Sequence, residues 1–405
     1  MEKTSSMSRL PRNVLALAAV SFFTDFGSDM IFPLLPLFLT QVLGASPAFL
    51  GVVEGAADAV GSVLKVISGE IADRVGRNKP LVLAGYGIAA VVRPLVAVAS
   101  APWHVLAIRL SDRVGKGVRT APRDAIIAGS VDDANAGRAF GFHRAMDHLG
   151  AVVGPLVAAA LLARGMSLRH VFMWAAIPGV LSFIVLLGAV RDVRRAPSAA
   201  PTAPVSELAK TTRAALPARF WSLLVILSLF ALGNSSDAFL LLRARDAGVA
   251  QAAIPLLWAG LHVSKFTLTA LGGMLADRVS RVWLVVAGWA VYAVTYIGLA
   301  HVGSAAGVWA WFLVYGAFYG LTEPTEKALV RELAPAASRG RAFGMYHGLT
   351  GAMALPAGAL TGWIWGHLGA AVALQVGASV AAAASVLLLV WGAARPRVAA
   401  RPVVS

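Results

Sequence analysis

Two stretches of this chain, Val171–Val190 and Val372–Trp391, hold no charged side chain anywhere along their length. Each is long enough to cross the hydrocarbon core of a bilayer. Lipid offers no partner to a backbone N–H or C=O, so a run of this kind satisfies its own polar groups by forming a helix. Composition extends the point to the whole molecule. Of its 405 residues 58% are hydrophobic and 14% charged, a mixture too apolar for a soluble protein.

The chain also repeats itself. Ala72-Asp73-Arg74-Val75-Gly76-Arg77 returns about half the chain later as Ala276-Asp277-Arg278-Val279-Ser280-Arg281. Gly137-Arg138-Ala139-Phe140-Gly141 returns as Gly340-Arg341-Ala342-Phe343-Gly344. Weaker echoes keep the order, Ser28-Asp29 with Ser236-Asp237 and Thr120–Asp124 with Thr322–Glu326. A nearly shared offset at four places argues for two homologous halves. Parallel repeats in a strongly apolar chain are a mark of secondary transporters.

Several function classes are disfavoured. The formal net charge is +15, but the basic residues gather in short segments between apolar runs, so nucleic acid is not the expected partner. There is no cysteine, hence no disulfide framework, thiolate metal site or thiol nucleophile. A phosphate-cradling P-loop is missing, which speaks against ATP-driven transport. No nucleophile–base constellation suggests an enzyme. The expectation is no cofactor and no metal. Lys3, Arg9 and Arg12 before the first apolar stretch superficially resemble a secretory signal. The stretch continues through Asp25 and Asp29 without an obvious cleavage site, so an uncleaved first helix is expected.

Hydropathy and turn signals predict about twelve helices, near 13–42, 48–72, 80–99, 102–128, 138–163 and 169–190, then 219–247, 253–275, 282–301, 306–329, 340–366 and 370–394. The expected domains are an N-terminal bundle (1–190), a linker (191–218) rich in Ala, Pro, Ser and Thr, a C-terminal bundle (219–394) and a basic tail (395–405). Basic loops on one side put both termini in the cytoplasm. The fold expected is all-α and integral to the membrane, with two pseudo-symmetric six-helix bundles. A monomer in a bacterial inner membrane is the expected state.

Charge is unevenly shared between the helices. Helices three, six, nine and twelve are nearly free of it, with Arg93 the main exception, so they should face lipid while helices one, two, four, five, seven and ten surround a wet interior. In helix four Arg109, Asp112, Arg113, Lys116, Arg119 and Arg123 fall largely on one face. Helix one offers Asp25 and Asp29, helix two Glu54, Asp58 and Lys65, and helix five Arg144, Asp147 and His148. The second half offers Asp237, Glu323, Glu326 and Lys327, with His262, Lys265 and His347 nearby. These groups either pair as a buried network or stay unpaired in one state, where a proton or charged substrate can drive an exchange. Gly137 with Gly141 and Gly150 with Gly154 are small-xxx-small steps that let helix backbones approach. Pro155 and Pro356 should kink helices five and eleven. Tryptophans are expected at the lipid or the interface, and Arg243 and Arg245 as interface anchors.

Gly69-Glu70-Ile71-Ala72-Asp73-Arg74-Val75-Gly76-Arg77-Asn78-Lys79, between the second and third helices, resembles the loop signature of the major facilitator superfamily. A degenerate copy, Gly273 to Arg281, lies between helices eight and nine. The resemblance implies two bundles rocking about a central site lined by helices one, four, seven and ten. It implies that Gly69, Asp73, Arg74, Gly76 and Arg77, with Asp277 and Arg278 in the copy, gate the conformational change. Asp124 would partner Arg77, and Asp73 would face the N-terminus of helix eleven. Gly150 to Pro155 resembles the glycine-proline signature of proton-coupled drug exporters, although Ala158-Ala159 stands where small glycines are expected.

The reading reached is a proton-coupled transporter of a small organic molecule by alternating access, working as an efflux antiporter. The alternatives are a proton-coupled importer of an organic anion or metabolite and a membrane sensor that has lost transport. Asp29 and Asp58 are the first candidates for proton coupling, followed by Asp25, Glu54 and Asp147. Arg109, Asp112, Arg113, Lys116, Arg119, Arg144, Asp237, Glu323 and Glu326 are the candidate cavity residues.

Overall fold

The computed structural model describes residues 10–75, 78–192, 215–276, 278–335 and 338–394. Within its helices the side chains of residues 65–75, 133–134, 270, 273 and 276 are not described. Twelve helical segments fill the described residues. They are α1 (Arg12–Val42), α2 (Pro47–Val75), α3 (Asn78–Val98), α4 (Pro102–Ala128), α5 (Asp133–Ala163) and α6 (Leu168–Ala189). After residues 193–214 come α7 (Ala218–Asp246), α8 (Ile254–Ala276), α9 (Arg281–His301), α10 (Ala305–Leu333), α11 (339–368) and α12 (Ala370–Ala393). Nine of these contain, among the described residues, a span long and apolar enough to cross a membrane. α4 is too charged to be one of the nine, yet α2 and α3 both pack on it.

The packing repeats like the sequence. α1 lies against α5 and α6, and α7 against α11 and α12. α2 and α3 flank α4, as α8 and α9 flank α10. The main contacts across the halves are α2 with α11 and α5 with α8. On the α2–α11 seam the backbones nearly touch: a Cβ built on Gly51 would meet the Gly358 carbonyl oxygen at 1.9 Å, and one on Gly362 the Pro47 carbonyl oxygen at 2.3 Å. Without a hydrophobic force between helices in lipid, small residues at such seams allow the close van der Waals packing that holds them.

Gly150 and Gly154 act in this way, their Cα atoms resting on the α1 backbone at Phe22 and Phe26. Gly137 and Gly141 do not, because nothing lies within 4 Å of a Cβ built at either. Their spacing predicted a close approach that the fold does not make; α5 meets α1 further along its length.

Five helices are interrupted, among them α3, which passes into a 3-10 segment at Arg93–Val98, and α6, which breaks at Ala175. α1 tightens into a 3-10 turn at Phe32–Leu34, where Pro33 and Pro36 remove backbone donors. The run predicted as one helix over 13–42 is therefore bent. α7 stops at Gly233 and restarts at Asp237, with the Ser236 hydroxyl accepting from the Ala238 N–H. The Asn234-Ser235-Ser236 side chains compete for backbone hydrogen bonds and favour such a break. α11 turns at Met353, shortly before Pro356, whereas α5 runs on through Pro155 as one helix.

The outward faces of α3, α6, α9 and α12 carry exposed apolar side chains such as Val98, Ile184, Val294 and Val390. Arg93 turns inward to Asp112. Arg243 is not an interface anchor. Its guanidinium donates to the carbonyls of Leu299, Ala300 and Val302, closing the C-terminal end of α9. Arg169 does the same for Ala97 at the end of α3.

Apolar packing shows how the halves meet. At the face opposite the chain's ends, here the distal face, Leu34, Leu35 and Phe38 of α1 share one core with Leu240, Leu241, Leu257 and Trp365 from the other half. Toward the terminal face, Val14, Leu17, Val82, Ile126 and Leu186 form a separate core within the first half. The halves share one core distally, whereas the terminal part of the first half packs as a core of its own.

Candidate functional site

Between the halves lies a cavity of about 560 Å³, a volume typical of small-molecule sites. α2 and α4 supply one wall, and α7, α8, α10 and α11 the other. The break in α7 brings Asn234 and Ser235 to its surface. Broken helices near mid-membrane expose backbone groups where they line a cavity.

On the first wall, acids and bases form a ladder. Glu54 and Asp58, one turn apart on α2, face Arg109 and Arg113, one turn apart on α4. Arg109 Nη2 lies 2.6 Å from Glu54 Oε2, with both side chains buried. Arg113 Nη2 lies 3.4 Å from Asp58 Oδ1, and Asp58 is 49% exposed to the cavity. Lys116 continues this row into the cavity. Asp112 and Arg119 turn the other way, toward α3. Arg93 Nε donates to Asp112 at 2.8 Å, and Arg119 donates to the Gly85 carbonyl while stacking over Tyr86. The single charged face expected of α4 is thus split into two rows, and of the candidate cavity residues on it Arg109, buried behind Glu54, Asp112 and Arg119 do not line the cavity.

Asp29 accepts a hydrogen bond from Trp258 Nε1 at 3.0 Å, a contact from α1 to α8 and so from one half to the other. Asp25 stands one turn below it, with Asp147, Lys116, Arg93 and Arg119 as charge neighbours. Asp147 sits beside His143 at 3.7 Å and Arg144 at 3.8 Å, and the Arg144 side chain is 65% exposed. Neither Asp147 nor Arg144 lines the cavity.

The second wall is aromatic and acidic. Asp237 accepts from Tyr315 Oη at 2.9 Å and from Tyr319 Oη at 2.6 Å. Glu326 accepts from Trp289 Nε1 at 3.3 Å and from Tyr346 Oη at 2.9 Å. Glu323 pairs with Lys327 at 3.1 Å. The Lys265 ammonium stands 3.7 Å above the centre of the Tyr319 ring. Phe230 and Phe318 also line the cavity, and Tyr292 packs behind them.

The tyrosines went unremarked in the sequence, and Trp258 and Trp289 correct the expectation that tryptophans face lipid. Trp103, Trp283 and Trp363 are exposed as expected, but those two are buried donors to carboxylates. Tyr315 and Tyr319, one helical turn apart on a helix expected to line the interior, were the available signal.

The gating motif lies largely outside the described residues. This holds for Gly76, Arg77 and Asp277 altogether, for the side chains of Asp73 and Arg74, and for the surroundings of Gly69. Arg278 is exposed. Asp124, expected to face Arg77, is bound by the neighbouring Arg123 at 2.8 Å.

Comparison with known proteins adds to this geometry. A family model described as Major Facilitator Superfamily matches residues 17–268. An uncharacterised MFS-type transporter of Methanocaldococcus jannaschii is 29% identical over 376 residues, 90% of this chain and 92% of that one. The multidrug resistance protein MdtH of Edwardsiella ictaluri is 30% identical over 149 residues, 37% of this chain and 36% of its own. A crystal structure of the nucleoside transporter NupG superposes with a TM-score of 0.77 at 14% identity, covering 93% of this chain and 99% of that one. At that identity the likeness concerns the fold alone.

Proposed function

Because this chain belongs to the Major Facilitator Superfamily, we propose that it is a secondary active transporter that moves a small organic molecule by alternating access, coupled to protons. The observation that carries this reading is the central cavity. It is lined by charged groups from both halves and sealed on the distal face by an apolar core that both halves share, while the terminal part of the first half packs as a core of its own. A rocking of 1–190 against 219–394 would seal the terminal face and open the distal one. We place the protein in a bacterial inner membrane, as a monomer with both termini cytoplasmic, so the state described is inward-facing.

Proton coupling is assigned to Asp29 first. Intramembrane carboxylates are costly to keep unless they serve a pathway or relay, and this one bridges the two halves at their seal. Asp58, half exposed to the cavity, is second. Efflux is the direction we assign, supported by the partial likeness to MdtH.

The test is reconstitution in liposomes with an imposed pH gradient, recording proton flux as substrate mixtures are added. Substrate-dependent flux in the wild type that disappears in Asp29→Asn supports both the transport reading and the coupling residue. Flux that survives the substitution moves the role to Asp58. Flux in neither protein sinks the transporter reading in favour of a sensor with this fold.

A further inference from the structure

We propose that the substrate is an organic cation and that its positive group sits on Tyr319 beside Asp237, the place Lys265 occupies in the inward-facing state. This rests on the cavity being the transport site and adds the chemistry of its cargo.

The first ground is the way charges are committed. On the α2–α4 wall Arg109 and Arg113 each face a carboxylate, so they offer an incoming anion little free positive charge. On the opposite wall the hydrogen bonds that Asp237 accepts come from neutral phenols. Neutral donors orient a carboxylate without cancelling its charge, which leaves it free to pair with a cation.

The second ground is the lysine. An ammonium 3.7 Å above an aromatic ring is held by the ring's quadrupole. Asp237 and Glu323 are its charge neighbours, so ring and carboxylates together form a seat that already holds a cation. A substrate ammonium or phosphonium would make the same contacts once Lys265 swings away. The flexible four-carbon stem of lysine allows that exchange. Phe318 and Tyr346 line the same cavity and give an apolar body something to lie against.

The third ground is the backbone. α7 ends at Gly233 and its next helix starts at Asp237, so the positive end of that second helix already faces a carboxylate of its own. The helix terminus that would otherwise attract an anion is thereby occupied. Asp58 also lies within electrostatic reach of Asp237 from the opposite half.

The experiment is equilibrium binding to the purified full chain in detergent, using tetraphenylphosphonium, its anionic counterpart tetraphenylborate and neutral triphenylphosphine oxide. The wild type should prefer the cation to the anion by at least about tenfold. Lys265→Gln, which removes the internal competitor, should raise affinity for the cation by about tenfold. Lys265→Arg, which keeps a charge over the ring, should stay near wild type, and Asp237→Asn should lose about tenfold or more. A gain of affinity cannot come from misfolding. Preference for tetraphenylborate, binding of neither ion, or no gain in Lys265→Gln overturns the proposal. Proton flux in liposomes separates the two readings. Flux driven by an anion would keep the transporter and remove the cation seat, whereas cation binding without flux would keep the seat and remove transport.

Discussion

Replacing Gly51 by alanine should push the molecule out of the state described here. The added Cβ would stand 1.9 Å from the carbonyl oxygen of Gly358 on α11. Ordinary contact begins near 3.4 Å, so α2 and α11 would have to part by about 1.5 Å on the distal side of the seam. The Cβ position is fixed by the α2 backbone and the oxygen it meets is backbone, so no side-chain rotation relieves the clash. Overpacking of this kind costs about 1–3 kcal/mol. If the cost falls on the distally sealed state alone, the balance between states moves by about 5- to 150-fold. The chain has no cysteine, so Asn234→Cys in the cavity gives a single reporter thiol. An impermeant maleimide confined to the distal face should label it at a rate proportional to the distally open fraction. Gly51→Ala should accelerate that labelling by at least about fivefold. Unchanged labelling in a protein that is stably folded would refute the claim that the α2–α11 seam holds the distal side shut.

Other consequences are open to simpler tests. Trp258→Phe keeps a ring beside Phe32 but removes the N–H donated to Asp29, a charge-assisted bond worth about 1.5–3 kcal/mol, and should also speed distal labelling. Glu54→Gln or Arg109→Gln alone leaves one buried charge without its partner and should lower stability by about 3–5 kcal/mol. The double variant should recover most of the loss in thermal unfolding; strictly additive losses would show that the pair is not coupled. Gly150→Ala and Gly154→Ala, aimed at the α1 backbone, should cost about 1–3 kcal/mol each, and Gly137→Ala and Gly141→Ala should gain about 0.5–1 kcal/mol in helix propensity. Equal effects at the two glycine pairs would contradict the packing described.

Much of the fold was legible because lipid allows a segment few choices. Hydropathy placed the helices within a few residues of their ends, and the repeat anticipated two halves of like architecture, as the pairing of α1 with α5 and of α7 with α11 shows. The charged residues were found, but not which of them meet. The split face of α4 depends on Arg93, which reaches Asp112 from a helix read as lipid-facing. Spacing along one helix says which residues share a face, not which neighbour that face meets, and so Gly137 and Gly141 misled where Gly150 and Gly154 did not. The aromatic wall was missed because tyrosine and tryptophan in a membrane helix read equally as belt residues or buried donors. Only a carboxylate opposite them, as Asp237 is for Tyr319, decides between the two.

The central claim is that one cavity is opened to the two faces in turn. It is tested most directly by measuring two distances in parallel samples of the reconstituted protein, with spin labels on introduced cysteine pairs. One pair, at Gln41 and His367, spans the distal face, and the other, at Ala128 and Arg331, spans the terminal face; all four positions are exposed. Alternating access predicts that addition of a transported substrate or a change of pH lengthens the first distance as it shortens the second. Two distances that stay fixed, or that lengthen together, would contradict it.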